Sequence, residues 1–140
     1  MTQEIDKQTR AEEILRTKKT FALIGATQDM LKYSYELMFT MLDAGYKVYP
    51  INPKYDKIED QKCYSSLTEL PEKPDVVLVV LSPQNAEQMI GEILNQHPNL
   101  VWLPPGSWSK ATIEKAESLG MEALYDICPV GTLRKMEQHQ

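Results

Sequence analysis

The sequence predicts an α/β domain built on a single doubly wound, mainly parallel sheet. From Thr20 onward, short apolar segments typical of strands alternate with segments in which apolar residues recur at helical spacing. In addition, Val76–Leu81 is a run of six consecutive apolar residues, four of them valine. Such a run indicates a central strand that is covered on both faces, as in a parallel sheet with helices on either side.

The first half of the chain begins with a charge-rich arm, residues 1–19, in which residues 3–17 predict a short surface helix, either docked or frayed. Phe21–Ile24 is the first strand, because four apolar residues stop at a glycine. An amphipathic helix follows and ends near Gly45, which suits a left-handed C-terminal cap. The second strand is Lys47–Ile51.

The second half continues the alternation after a connecting segment, residues 52–74. Ser82 and Pro83 form an N-cap and first-turn pair, and apolar residues at helical spacing follow them. Leu100–Leu103 is the next strand, Ser109–Gly120 contains a capped helix, and Met121–Tyr125 is the last strand. We therefore expect one domain over residues 20–136, followed by a tail over residues 137–140.

Composition excludes several classes of function. A net charge of -5 with scattered lysines gives no footprint for nucleic acid. No apolar run is long enough for a signal peptide or a membrane span, so we expect a cytoplasmic protein without a membrane partner. Cys63 and Cys128 lie far apart and in no CxxC arrangement, which favours two free thiols over a disulfide or a metal site.

The candidate binding site follows from the fold, because parallel sheets present ligands at the carboxyl ends of their strands. A strand that stops at a glycine and leads through a short loop into a helix also directs backbone N–H groups at phosphate. We expect a nucleotide-like anion there. The residues that follow the strands are Gly25, Ala26, Thr27, Lys32, Tyr33, Ser34, Asn52, Pro53, Lys54, Tyr55, Ser82, Pro83 and Gly106.

A nicotinamide dinucleotide is the alternative ligand. Asn52 stands where such binders normally carry an aspartate or glutamate for the ribose, and the second and third glycines of the GxGxxG fingerprint are missing. Lys54 could instead serve the 2′-phosphate of NADP. An NAD(P)-binding redox enzyme or sensor therefore stays open as the second hypothesis.

Two motifs carry a resemblance to a known family. They are Asn-Pro-x-Tyr at Asn52–Tyr55 and Cys-Tyr-x-Ser-Leu at Cys63–Leu67, supported by Gly25, Ser34 and the Asp-x-Cys-Pro end at Asp126–Pro129. With these motifs the sequence resembles the small stand-alone CoA-binding proteins, whose fold is similar to the N-terminal domain of the succinyl-CoA synthetase alpha subunit. The resemblance covers about residues 18–136.

The resemblance implies a Rossmann-like CoA-binding fold that takes CoA or an acyl-CoA. It implies that the loop Gly25–Ser34 meets the diphosphate, that Asn52–Tyr55 flanks the 3′-phosphate end, and that Ser82 and Pro83 contact the nucleotide. Two kinds of protein partner stay open: a second copy in a homodimer, because the helices of such small sheets often pair, or a separately encoded ligase-type subunit. The chain departs from the family at Lys32-Tyr33, where members often carry arginine and proline.

Catalysis finds little support in the sequence. We find no nucleophile beside a base, no paired carboxylates and no metal-ligand spacing, and His97 and His139 have no visible partner. Cys128 follows the last strand, where an exposed thiol could exchange with CoA to form a mixed disulfide, whereas a buried one would be inert. The chain is therefore interpreted as a CoA-binding protein without identified catalysis of its own.

Overall fold

A computed structural model of the chain describes the backbone of residues 3–138 and the side chains of residues 6–138. His139 and the end of the tail expected over residues 137–140 lie outside the described residues. None of the helices within these bounds combines the length and the apolar character that a membrane crossing needs.

Five helices and seven strands make up the described part of the chain, together with a short 3-10 turn at Leu67–Glu69. The helices are α1 Gln3–Thr17, α2 Tyr33–Asp43, α3 Pro83–Asn95, α4 Lys110–Ser118 and α5 Pro129–Gln138. The strands are β1 Thr20–Ile24, β2 Lys47–Ile51, β3 Lys57–Ile58, β4 Gln61–Lys62, β5 Val76–Val79, β6 Leu100–Leu103 and β7 Glu122–Tyr125.

Five of the strands form one parallel sheet in the order β2-β1-β5-β6-β7, which confirms the predicted fold class. The chain leaves β1 toward β2 on one side, whereas β5 pairs with β1 on the other side. The crevice between the carboxyl ends of β1 and β5 is therefore the switch point at which such sheets bind ligands. The β3–β4 hairpin is a separate antiparallel pair that the sequence pattern did not indicate.

Apolar side chains cover both faces of the sheet. In β5, Val76 and Leu78 belong to one core cluster, whereas Val77 and Val79 belong to the other. This alternation explains the valine-rich run, because each residue of the strand is buried on one face or the other. The strand itself ends at Val79, two residues before the predicted end.

Helix α1 is docked on the first of these clusters. Ala11, Ile14 and Leu15 are buried there, on the side of the sheet that α2 and α5 also cover. Arg10 adds a two-pronged contact to Glu122 in β7, with N–O distances of 2.6 and 2.7 Å. The thin apolar stripe of the arm is therefore sufficient for packing.

The helix ends follow the predicted capping chemistry. Gly45 has a φ of +95°, and the N–H groups of Gly45 and Tyr46 donate to Leu42 and Met41, which closes α2. Ser82 accepts the N–H of Asn85 at the start of α3. Ser109 forms a capping box with Thr112 at the start of α4.

Candidate functional site

Gly25 stands at the switch point, directly after β1. Its φ is +92°, and a Cβ atom at this position would lie 2.1 Å from the carbonyl oxygen of Val80. Only glycine allows the chain to turn so close to the end of β5. The loop after β1 therefore runs tightly against the neighbouring strand.

Asn52 joins the loops that follow β1 and β2. Its amide nitrogen donates to the carbonyl oxygen of Ala26 at 2.8 Å, and its amide oxygen accepts the N–H of Lys54 at 2.9 Å. Gly25 and Asn52 thus lie on the same side of the molecule and line the same groove. The role of Asn52 in this structure is to hold the two loops together.

The first two backbone N–H groups of the loop after β1 are paired within the protein. Those of Gly25 and Ala26 both donate to the carbonyl oxygen of Ile51, at 3.2 and 3.3 Å. The end of β2 extends beside the turn and takes up both donors. Backbone N–H groups that are free to bind a ligand therefore lie further along the loop.

The N-terminus of α2 supplies such donors. Lys32 occupies the N-cap position and offers no side-chain hydrogen bond to the helix, in contrast to Ser82 in α3 and Ser109 in α4. Within the described residues, the N–H groups of Tyr33 and Ser34 have no hydrogen-bond partner. An uncapped helix start with free N–H groups and a positive partial charge favours an anion.

Ser34 adds a second polar group at the same place. Its side chain is only 5% exposed, and its hydroxyl has no partner among the described residues. Buried hydroxyl groups normally form hydrogen bonds, because an unpaired one carries a desolvation penalty. A ligand at the start of α2 would satisfy this hydroxyl.

The loop before α2 is held in shape by its own side chains. Thr27 accepts the N–H of Asp29 at 3.0 Å, and Asp29 in turn accepts the N–H of Leu31 at 3.0 Å. Gln28 donates to the carbonyl oxygen of Lys57 at 2.8 Å. These bonds fix the approach to the helix start before any ligand arrives.

A groove of about 720 Å³ opens beside this loop, between the ends of β1 and β2, residues 65–68 and one side of α3. Ile24, Ile51 and Leu67 contribute apolar surface, while serine, threonine and amide side chains contribute hydrogen-bonding groups. Glu92 is the only charged residue among its described lining residues. The groove therefore suits an uncharged ring system with hydrogen-bonding edges rather than a phosphate group.

The two predicted cations lie outside the groove. Lys32 and Lys54 are exposed, and neither forms an ion pair with a described residue. Pro53 lines the groove next to Lys54, and Tyr55 is half-buried beyond it. Both ammonium groups are thus exposed and without an ion pair in the described part of the chain.

Other predicted site residues are less directly placed. Ser82 is exposed and caps α3, and Pro83 is the first residue of that helix. Gly106 is exposed in the turn after β6, with a φ of +88°. None of the three lines the groove, although all lie at the carboxyl edge of the sheet.

Cys128 lies at the other end of this edge, at the start of α5. Its Sγ is 3.1 Å from the hydroxyl of Tyr33 and 3.3 Å from the backbone nitrogen of Gly131, which donates to it. Burial, and next the contact with Cys128, raises the pKa of the Tyr33 phenol. Tyr33 therefore stays protonated. Its side chain contacts the thiol and does not line the groove.

Sequence reasoning missed one wall of the groove. The face of α3 that carries Asn85, Gln88 and Met89 was recognised only as a helix, because its polar residues resemble an ordinary solvated face. Residues 65–68 were interpreted as connecting structure around a site, although Ser66 and Leu67 belong to a motif of the resemblance. That motif was the available signal for this wall.

Comparisons with known proteins place the chain in a family. It matches the model of the CoA binding domain over residues 19–133. The acetate–CoA ligase (ADP-forming) of Methanocaldococcus jannaschii is 40% identical over 63 residues, which is 45% of this chain and 9% of the ligase. The alpha subunit of acetate–CoA ligase (ADP-forming) I from Pyrococcus furiosus is 33% identical over 86 residues, which is 57% of this chain and 19% of that subunit.

A solved structure shows the same architecture over almost the whole chain. The structure of a hypothetical protein from Pyrococcus horikoshii OT3 aligns with a TM-score of 0.85 and 26% identity, covering 91% of this chain and 90% of that one. The fold, the motifs and the family match agree with one another. The chain belongs to the CoA binding domain family.

Proposed function

We propose that the protein binds CoA or an acyl-CoA through the loops at the carboxyl ends of its strands, without catalysis of its own. The observation that carries this proposal is the uncapped start of α2, where the buried hydroxyl of Ser34 and two backbone N–H groups have no partner among the described residues. The diphosphate fits there, because a helix N-terminus stabilises anions. Lys32 adds a cation beside it.

The groove supplies the place for the nucleoside. Its apolar walls suit the faces of the adenine ring, and its amide and hydroxyl groups suit the ring edges. Lys54 follows Pro53, which lines the groove, and we assign its ammonium group to the ribose 3′-phosphate. The residues present thus fit the cofactor that the family implies.

A nicotinamide dinucleotide fits this site less well. A carboxylate at the end of β2 would normally bind the ribose diol, whereas Asn52 uses its amide to join the two loops. Lys54 leaves NADP as the stronger competitor of the two dinucleotides. A direct comparison of ligands separates these hypotheses.

A second candidate function is that of a partner subunit for a separate ligase-type protein. The relatives from Pyrococcus furiosus, described as alpha subunits of acetate–CoA ligases, favour this possibility. Both relatives are several times longer than the region that they share with this chain. Affinity purification of the tagged protein from its own cells should recover a stoichiometric ligase-type chain if this candidate is correct.

Thermal unfolding of the reduced protein with CoA, dephospho-CoA, NAD or NADP tests the proposed function. At a concentration of about 100 times its Kd, a ligand stabilises the folded state by ~2.7 kcal/mol, which raises Tm by several degrees for a domain of this size. CoA should give the largest shift and dephospho-CoA a smaller one. A larger shift with NADP and none with CoA would contradict the proposal.

Lys54→Ala should weaken CoA more than dephospho-CoA, because only CoA carries the 3′-phosphate. Lys73→Ala is the matched control, since Lys73 is also exposed but precedes β5 at the opposite edge of the sheet. Isothermal titration of both variants with both ligands measures the effect. Equal losses for the two ligands in Lys54→Ala would remove Lys54 from the 3′-phosphate site.

We also propose that Cys128 exchanges with oxidised CoA. Its thiolate would attack one sulfur of CoA disulfide, the CoA S–S bond would break, a protein–CoA disulfide would form, and CoA would leave as a thiolate. The hydroxyl of Tyr33 and the N–H of Gly131 both lie within hydrogen-bond reach of the sulfur. Cys128 is also half-buried, whereas Cys63 is buried, so Cys128 is the more accessible of the two thiols.

Mass spectrometry after incubation with CoA disulfide measures this exchange. One CoA adduct is expected on the wild-type protein and on Cys63→Ser, because Cys63 is buried and burial raises the pKa of its thiol. Cys128→Ser should form no adduct. An adduct that persists in Cys128→Ser would refute the exchange at this residue.

A further inference from the structure

Four polar side chains of the described residues are buried, and they divide into two kinds. The hydroxyls of Thr112 and Thr132 donate to the backbone carbonyls of Ser109 and Cys128, at 2.8 and 2.9 Å. The hydroxyls of the other two, Ser34 and Ser107, have no partner within the described part of the chain. Both serines follow a strand at the carboxyl edge of the sheet, where the proposed ligand lies.

Ser107 belongs to the turn that follows β6 and is only 4% exposed. Its backbone N–H closes the turn by donating to Pro104 at 3.0 Å. Pro104 and Pro105 have no N–H to offer, and the indole nitrogen of Trp108 donates to Asp126 at 3.1 Å. The hydroxyl of Ser107 is therefore an uncommitted hydrogen-bonding group of this turn.

The order of the strands relates this hydroxyl to the proposed site. Only β5 separates β1 from β6, so the ends of these two strands are about 10 Å apart at the usual spacing between strands. In the proposed function, the nucleoside lies in the groove beside β2 and the diphosphate lies at the start of α2. The rest of the ligand then extends away from β2, across the end of β5 and toward β6.

We propose that the hydroxyl of Ser107 hydrogen-bonds the amide-bearing arm of the bound cofactor. This proposal rests on the proposed function and assigns one residue to the recognition of the arm. A hydroxyl group donates and accepts, so it can pair with either the N–H or the carbonyl of an amide. Ser107 thereby favours ligands that continue past the diphosphate as a flexible amide chain over nucleotides that end there.

The test compares Ser107→Ala with Ser118→Ala, whose exposed hydroxyl already donates to Lys115 at the end of α4. Isothermal titration would use CoA and adenosine 3′-phosphate 5′-diphosphate, which lacks the arm. Ser107→Ala should weaken CoA about tenfold and leave the nucleotide within twofold, because one hydrogen bond to the arm is lost. Ser118→Ala should change neither affinity.

The Tm of the ligand-free variants separates a binding role of Ser107 from a structural one. Removing an unpaired buried hydroxyl should leave the Tm of Ser107→Ala equal to or above that of the wild type. A lower Tm together with unchanged CoA affinity would overturn the assignment, because it would show a structural role. Equal losses for both ligands would overturn it as well, whereas wild-type protein that binds neither ligand would refute the proposed function itself.

Discussion

Replacing Gly25 with alanine is expected to lower the free energy of unfolding by about 4 kcal/mol or more, among the largest effects of single substitutions. Two costs add up at this residue. A φ of +92° is unfavourable for any residue with a Cβ, by roughly 1–2 kcal/mol. The new Cβ would also lie 2.1 Å from the carbonyl oxygen of Val80, so β1 and β5 would have to separate at their ends.

Gly45→Ala is the matched control for this prediction. Gly45 has nearly the same φ, +95°, but a Cβ there would meet no atom within 4 Å. The free energy of unfolding of this variant should fall only by the cost of the positive φ, roughly 1–2 kcal/mol. Urea denaturation of both variants measures the difference, and equal losses would show that the contact with Val80 costs nothing.

The second large effect is expected for Trp102→Ala, which should lose about 3–5 kcal/mol of stability. The indole is fully buried in β6, and its Nε1 donates to the carbonyl oxygen of Ile127 at 2.9 Å. Truncation leaves a large cavity within the first core cluster and an unpaired carbonyl just before Cys128. Trp102→Ala should therefore lower the stability of the protein and also disturb the segment that carries Cys128.

Trp102→Phe separates these two contributions. Phenylalanine keeps much of the apolar volume but lacks the donor, so we expect an intermediate loss of about 1–3 kcal/mol from the unpaired carbonyl of Ile127. Chemical denaturation gives the stabilities, and the rate of CoA adduct formation reports on Cys128. A phenylalanine variant as unstable as the alanine variant would show that the hydrogen bond, and not the volume, dominates.

The order of the elements was predictable because each depends on local patterns. The valine run, the serine caps and Gly45 act through their immediate neighbours in sequence, and the structure confirms them. The β3–β4 hairpin was not predictable, because Lys57–Lys62 has neither alternation nor a glycine-containing turn. Glu59 adopts a φ of +53° in this hairpin without a glycine to announce it.

A groove at the strand ends was predictable, but the partners of its side chains were not. The strand ends do gather Gly25, Asn52 and Pro53 around one groove, as the topology requires. The path of Ile51 beside the turn determines which N–H groups remain free. The packing of the side chains determines which hydroxyl groups remain unpaired. Neither can be seen in a sequence, and no sequence pattern distinguishes the buried Ser107 from an ordinary exposed serine of a turn.

The bridge made by Asn52 has a consequence for the speed of recognition. Because one amide fixes Ala26 and Lys54 to the same side chain, the two loops form a single preassembled rim. For the proposed cofactor, such a rim leaves little backbone to order, so less conformational entropy would be lost on association. The encounter should then be limited by diffusion and orientation rather than by a loop rearrangement.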